Sequence, residues 1–206
     1  MCSSDLMARA DAINLDPKLF RSVTFDGIPP TSYDRDGDSL RAIVIKSSSF
    51  LLLPFDAPRE VHEVSFDWRA EGDLKVADAE AEKTKQGDDG RLKLGLILSG
   101  KAPMVPFFAS AWIKSVRDVL RLPTDRMQLL IVDAKSKPGT TWPSPYSESM
   151  QLTAVASEPT AGGWRHVRKS YDKPLSVVGL WIMADGDDTQ SRRSEEHTSE
   201  LQSLRH

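Results

Sequence analysis

A period of two runs through this chain and confines it to β-structure. Val64, Phe66 and Trp68 alternate with Ser65, Asp67 and Arg69, and Leu92, Leu94, Leu96 and Leu98 repeat the pattern after the turn Gly87-Asp88-Asp89-Gly90. Side chains of an extended strand alternate between its two faces, so each segment predicts a strand with one buried face. Ser39 to Ile45 and Phe50 to Phe55 are further strand candidates around three consecutive serines. Arg126 to Asp133 and Ser176 to Ala184 are apolar at nearly every position, which predicts central strands covered on both sides. Arg21 to Phe25, Met150 to Ala156 and Trp164 to Arg168 are weaker candidates.

Two segments break this period. In Pro106 to Arg121, Phe108, Ala111, Trp112, Val116 and Val119 recur at three- and four-residue steps, predicting an amphipathic helix that stops short of Pro123. Val76 to Lys85 holds good helix formers with little apolar face and is expected as a short exposed helix or loop. Many short strands with one helix predict a mainly β fold, an antiparallel β-sandwich or jelly roll with the helix packed on it. The connections are too short for repeated strand-helix-strand units.

The ends read differently from the middle. Arg193 to Arg205 (RSEEHTSELQSLR) resembles the in-frame translation of a common sequencing-library adapter, and Met1 to Leu6 (MCSSDL) resembles the translation of its reverse complement. The expectation is therefore a single domain over residues 7–192, lacking its last strand, with adapter-derived residues 1–6 and a disordered adapter-derived tail over 193–206.

Composition excludes several function classes. The chain carries 27 Lys and Arg against 30 Asp and Glu, intermixed, so it has no basic stripe for nucleic acid. Its single cysteine, Cys2, lies in the adapter-like start, which leaves residues 7–192 no disulfide or thiolate site. No apolar run approaches membrane-spanning length. His62 and His166 stand isolated, and no serine occupies a nucleophile elbow. No catalytic residue is assigned.

Two groups remain as candidate sites. Asp88 and Asp89 precede the strand beginning at Arg91, while Asp185, Asp187 and Asp188 follow the strand ending at Ala184. If those strands are antiparallel neighbours the five carboxylates meet, and close-spaced carboxylates are calcium ligands. Ordinary Asp-Gly turns are the commoner explanation of such runs. Trp142 and Tyr146 lie in the proline-rich T-W-P-S-P-Y, where rigid flanks suit the presentation of flat rings to a sugar, and Trp164 after two glycines is a third candidate. Core anchoring is the commoner role of such rings. Asp67 and Arg69 share the polar face of one strand.

Several segments together resemble the bacterial domain-of-unknown-function family 3047. They are F-D-G-I-P-P-T-S-Y (Phe25 to Tyr33), S-F-D-W-R (Ser65 to Arg69), K-Q-G-D-D-G-R-L (Lys85 to Leu92), P-G-T-T-W-P-S-P-Y (Pro138 to Tyr146), G-G-W-R (Gly162 to Arg165) and W-I-M-A-D-G-D-D-T (Trp181 to Thr189). The resemblance implies a secreted or periplasmic β-sandwich protein continuing into one more strand after the last motif. The functional expectation is a non-catalytic ligand-binding or structural module of the bacterial envelope, with glycan as the candidate ligand and calcium as the candidate ion. A polysaccharide-acting enzyme using an Asp/Glu acid-base pair, or an assembly protein, is the alternative.

Overall fold

Two strands of unusual length organise the chain. The computed structural model describes residues 12–101 and 110–189, and the backbone of 197–205. In chain order the strands are β1 (Ala12–Ile13), β2 (Arg21–Thr24), β3 (Ser32–Asp36), β4 (Ser39–Val44), β5 (Ser49–Ala70) and β6 (Gly90–Ser99). After helix α1 (Ala111–Val119) follow β7 (Thr124–Ile131), β8 (Thr141–Ser144), β9 (Ser147–Ala154), β10 (Glu158–Pro159), β11 (Arg165–Asp185) and β12 (His197–Arg205). The fold is mainly β, and α1 is the one α-helix among the described residues.

The twelve strands form one continuous sheet whose central path runs β3-β4-β12-β5-β11-β6-β7-β9-β8. Four expected short strands merge here into two long ones: Phe50 to Phe55 joins Val64 to Trp68 as β5, and Trp164 to Arg168 joins Ser176 to Ala184 as β11. Their antiparallel ladder shifts register between Ser170 and Leu175 and again between Val177 and Gly179. Extra residues at such irregularities bend a strand and let it continue in a new direction. Pro58 falls among the residues passed over at the second shift, where its missing N–H costs no ladder bond. The first half of β5 pairs β2, and the second half pairs β12.

The bend lets one strand pair serve two layers of core. Leu40, Phe66, Trp68 and Val167 share a buried cluster with Leu94, Leu96, Leu130, Leu180 and Ile182. On the opposite parity, Phe50, Leu52, Ile97, Leu129, Trp181 and Met183 form a second cluster with Val116 of α1. Each such side chain, fully buried, contributes ~1.5–3 kcal/mol. β6 therefore has both faces covered, which corrects the expectation of one. Gly95 belongs to this packing, because a Cβ there would meet Leu129 Cδ2 at 2.7 Å and Trp181 Cβ at 2.8 Å.

The sheet is also not wholly antiparallel, since β7 and β9 pair in parallel. After β7 the chain passes to the outer edge, lays down β8, and turns back through Pro145 and Tyr146 so that β9 enters between them. A parallel neighbour needs such a crossover. The described part of the expected 106–121 helix is shorter, Ala111–Val119; its start, including Phe108, lies outside the described residues. Val76 to Lys85 supplies turns and a short 3-10 segment, Ala81–Lys83.

Residues 197–205 form β12, antiparallel to β4 on one side and to β5 on the other. Without it, β4 and the second half of β5 would face each other with unpaired N–H and C=O groups. Backbone donors and acceptors are the same for every residue type, so an extended segment of almost any sequence can satisfy them.

Candidate functional site

The antiparallel register of β6 and β11 sets Asp185 opposite Gly90 and so brings the two acidic turns together. Asp185 accepts from Gly90 N at 2.8 Å and from Lys93 Nζ at 3.0 Å. Lys93 is 2% exposed, and its ammonium lies 3.3 Å from Asp88 Oδ2 and donates to the Asp88 carbonyl. Asp89 accepts from the backbone N–H groups of Asp188 at 3.1 Å and Thr189 at 2.7 Å, which staples the second acidic turn to the first. Carboxylate oxygens of Asp89, Asp185 and Asp187 lie within 4.8 Å of one another.

Neighbouring segments lock this arrangement. Tyr33 donates its hydroxyl to Ser49 O at 2.7 Å and accepts from Ala184 N at 3.2 Å, while Thr31 Oγ1 donates to Ala184 O at 2.9 Å. Glu82, buried, accepts from Lys135 N and Ser136 N at 2.6 and 2.7 Å and so ties the segment before the first acidic turn to the loop after β7. Gly87 is required there, because a Cβ would collide with the Ala81 carbonyl.

Electrostatics follow from burial. Desolvation alone would lower the Lys93 pKa, but the carboxylates of Asp185 and Asp88 outweigh it and hold the ammonium above the ordinary lysine value. Burial pushes Asp185 and Asp88 up against the opposing pull of Lys93. Asp187 and Asp188 are also raised, first by burial; Asp187 is raised further by Asp188 and Asp89, and for Asp188 the Tyr146 hydrogen bond opposes the shift. Tyr146 donates its hydroxyl toward Asp188 Oδ2 at 2.8 Å and Lys85 O at 3.2 Å, and burial with that carboxylate raises its phenol pKa.

A raised folded-state carboxyl stabilises the fold fully below the unfolded value, and that contribution is lost as pH rises through the folded pKa. Asp187→Asn removes the loss. The variant is expected to melt higher than the parent at pH 7, with the gap closing as pH falls below about 3.9, the ordinary Asp value. Thermal melts across that range test it, and a variant melting lower than the parent at neutral pH would contradict the assignment.

Beside the acidic end lies a cavity of about 170 Å³. Its apolar wall includes Phe25, Trp112, Tyr146, Met150, Trp181 and Met183, and Lys93, Asp88, Asp185, Asp187 and Asp188 supply its polar side. The wall is rigidly built: Trp181 stacks on Phe50 with centroids 3.3 Å apart at 10°, and Trp112 meets Trp181 edge-on at 6.1 Å. Trp181 is 2% exposed, and its Nε1 has no hydrogen-bond partner among the described residues.

The candidate residues are placed unequally. Asp88, Asp185, Asp187 and Tyr146 line the cavity, and Asp89 braces it from behind. Trp142 does not present an open ring: it is 6% exposed and packs with Leu152 and Met150 in the second core cluster. Trp164 precedes the far end of β11 and lies under the Arg69 guanidinium at 4.8 Å, away from the cavity. His166, expected to be isolated, holds Asp67 Oδ1 through Nδ1 at 2.8 Å. Sequence reasoning missed Lys93, Phe25, Trp112 and Met183 as site residues. The available signal was Lys93 sharing strand parity with Gly95 and Ile97, a poor composition for a solvated face.

A family model described as a protein of unknown function, DUF3047, matches residues 19–196. That span contains every cavity residue named above. No curated protein matches the chain. Among the described residues no helix is long and apolar enough to cross a membrane.

Proposed function

Because the chain belongs to the DUF3047 family of proteins of unknown function, we propose a role from its cavity: non-catalytic binding of a single-ring polar ligand, with carbohydrate as the class. The envelope location implied by the family resemblance is part of the same proposal. The observation that carries it is one cavity lined by both aromatic and carboxylate side chains. Ligand sites combine a mostly apolar concavity with a few convergent polar groups, and perturbed carboxyls mark such places. The volume suits one ring, since a cavity of about 150 Å³ holds a benzene-sized molecule. A sugar offers aromatic rings its C–H face and offers carboxylates its hydroxyls.

Charge state closes one catalytic route, attack by a lysine amine. Lys93 is held as an ammonium between Asp88 and Asp185, so it supplies no neutral amine for attack. Calcium is not part of the reading. Each Asp89 oxygen accepts one backbone N–H and Lys93 pairs with Asp185, contacts that a cation among Asp89, Asp185 and Asp187 would have to compete with.

Titration of monosaccharides into the full chain, followed by ligand-observed NMR, tests the reading. Saturable binding that falls at least about tenfold in Tyr146→Ala, a loss of about 1.4 kcal/mol, is the expected result. Absence of binding to any monosaccharide overturns it, and turnover of an oligosaccharide overturns its non-catalytic part.

A further inference from the structure

β4 and the second half of β5 are not paired to each other; β12 stands between them, antiparallel to both. Both walls of this slot fall within the family-matched residues 19–196, whereas the strand that fills it begins at His197. A strand gripped along both edges satisfies its backbone donors and acceptors on either side. Nothing in that pairing requires the strand to come from the same chain, and extended segments of partner proteins are taken up by sheets in this way.

The walls add a side-chain code to the backbone pairing. Position 201 is in register with Leu40 on one side and Trp68 on the other, each 2% exposed and both in the first core cluster. Cross-strand partners share a face of the sheet, so this position belongs to the core side and favours an apolar residue. Position 200 belongs to the opposite face and is in register with Arg41 on one side and Arg69 on the other. Arg41 Nε is buried and has no hydrogen-bond partner among the described residues. Beyond Arg41 the same row continues to Asp34, and the Arg69 guanidinium lies over the Trp164 ring at 4.8 Å. Two arginines flanking one strand position favour a carboxylate there. The chain carries Glu at 200 and Leu at 201, one residue of each kind the walls favour.

We propose that the slot between β4 and β5 is a strand-acceptor site. It takes up an extended segment of a partner protein that carries a carboxylate followed by an apolar residue, and β12 holds that place within this chain. Main-chain hydrogen bonds to both walls supply affinity, and the alternating positions facing Arg41 and Arg69 or Leu40 and Trp68 supply selection. A partner segment has to displace β12, which competes from within the chain at the high effective concentration of a tethered strand. The site is separate from the cavity, so it does not depend on the sugar-binding reading.

The probe is a fluorescein-labelled peptide of the β12 sequence, HTSELQSLR. Fluorescence anisotropy compares its binding to the full chain and to the full-length variant Leu201→Pro, whose proline cannot donate to a ladder and so weakens the chain's own hold on the slot. The variant is expected to bind saturably and at least about tenfold more tightly than the parent, where the tethered strand competes. If circular dichroism shows the variant unfolded on its own, recovery of its β spectrum on adding peptide is the expected result. Peptides carrying Glu200→Lys or Leu201→Asp are expected to bind at least about tenfold more weakly, through like charge beside two arginines or a carboxylate on the core side. Neither binding nor recovery, or equal binding to parent and variant, overturns the acceptor site. Undiminished binding of the Glu200→Lys peptide overturns the part given to Arg41 and Arg69, and undiminished binding of the Leu201→Asp peptide overturns that given to Leu40 and Trp68.

Discussion

Replacing Lys93 with alanine is expected to cost about 3–5 kcal/mol of folding stability, the usual penalty for breaking a buried ion pair by removing one partner. The residue is 2% exposed, its ammonium touches both Asp88 and Asp185, and Asp185 is itself 4% exposed. Without the cation, those carboxylates keep their desolvation penalty and lose the charge that opposes it. Urea unfolding at pH 7 measures the loss as a shift in midpoint. The pH dependence separates this cause from a simple cavity. Unpaired, Asp88 and Asp185 are raised further in the folded state, so the variant's deficit should narrow as pH falls and grow as pH rises through those pKa values. A deficit independent of pH would mean that Lys93 matters for volume alone. Lys93→Met combined with Asp185→Asn removes both charges at similar size and is expected to recover most of the stability, with the non-additivity reporting the coupling.

Trp181→Ala is the second large loss, also about 3–5 kcal/mol, as for other buried Trp or Phe truncations. For a chain of this length that is on the order of 10 °C in melting midpoint. Trp181 is the largest of the fully buried side chains, and it is the plate on which Phe50 stacks and against which Trp112 sets its edge. Its removal joins the space it filled to the neighbouring cavity. Gly95 shows how closely it is fitted, with no room for a methyl group between Leu129 and Trp181. Trp181→Phe keeps the stack and is expected to cost less than half as much. A small loss in Trp181→Ala, measured by thermal melting, would show that α1 and the β2 region collapse into the gap.

Much of the site's composition was legible before the fold. The acidic turns were expected to meet if their strands were antiparallel neighbours, and β6 and β11 pair in that way. Tyr146 stood out by its proline-rich setting and lines the cavity. Its partner in that motif, Trp142, shares the setting but turns into the core. Trp142 belongs to β8 and its ring enters the core, whereas Tyr146 lies in the turn after that strand, so one motif delivers one ring inward and another to the rim. Lys93 was read as the solvated parity of an alternating strand. What decided otherwise was α1 and the turn beyond β8, which cover that parity from elsewhere in the chain.

By itself, then, the sequence determined what is local: period-two strands, a three-and-four-spaced helix ending before Pro123, and turns at Gly-Asp runs, each set by backbone sterics and the alternation of side chains. Only the tertiary structure decided that four strand segments join into β5 and β11, that β9 runs parallel to β7, that β12 fills the place between β4 and β5, and that Lys93 is buried among carboxylates. The reason is that strand pairing is made by backbone groups identical in every residue. Partner, order and register are therefore chosen by which apolar faces can be covered together, a property of the whole packed chain.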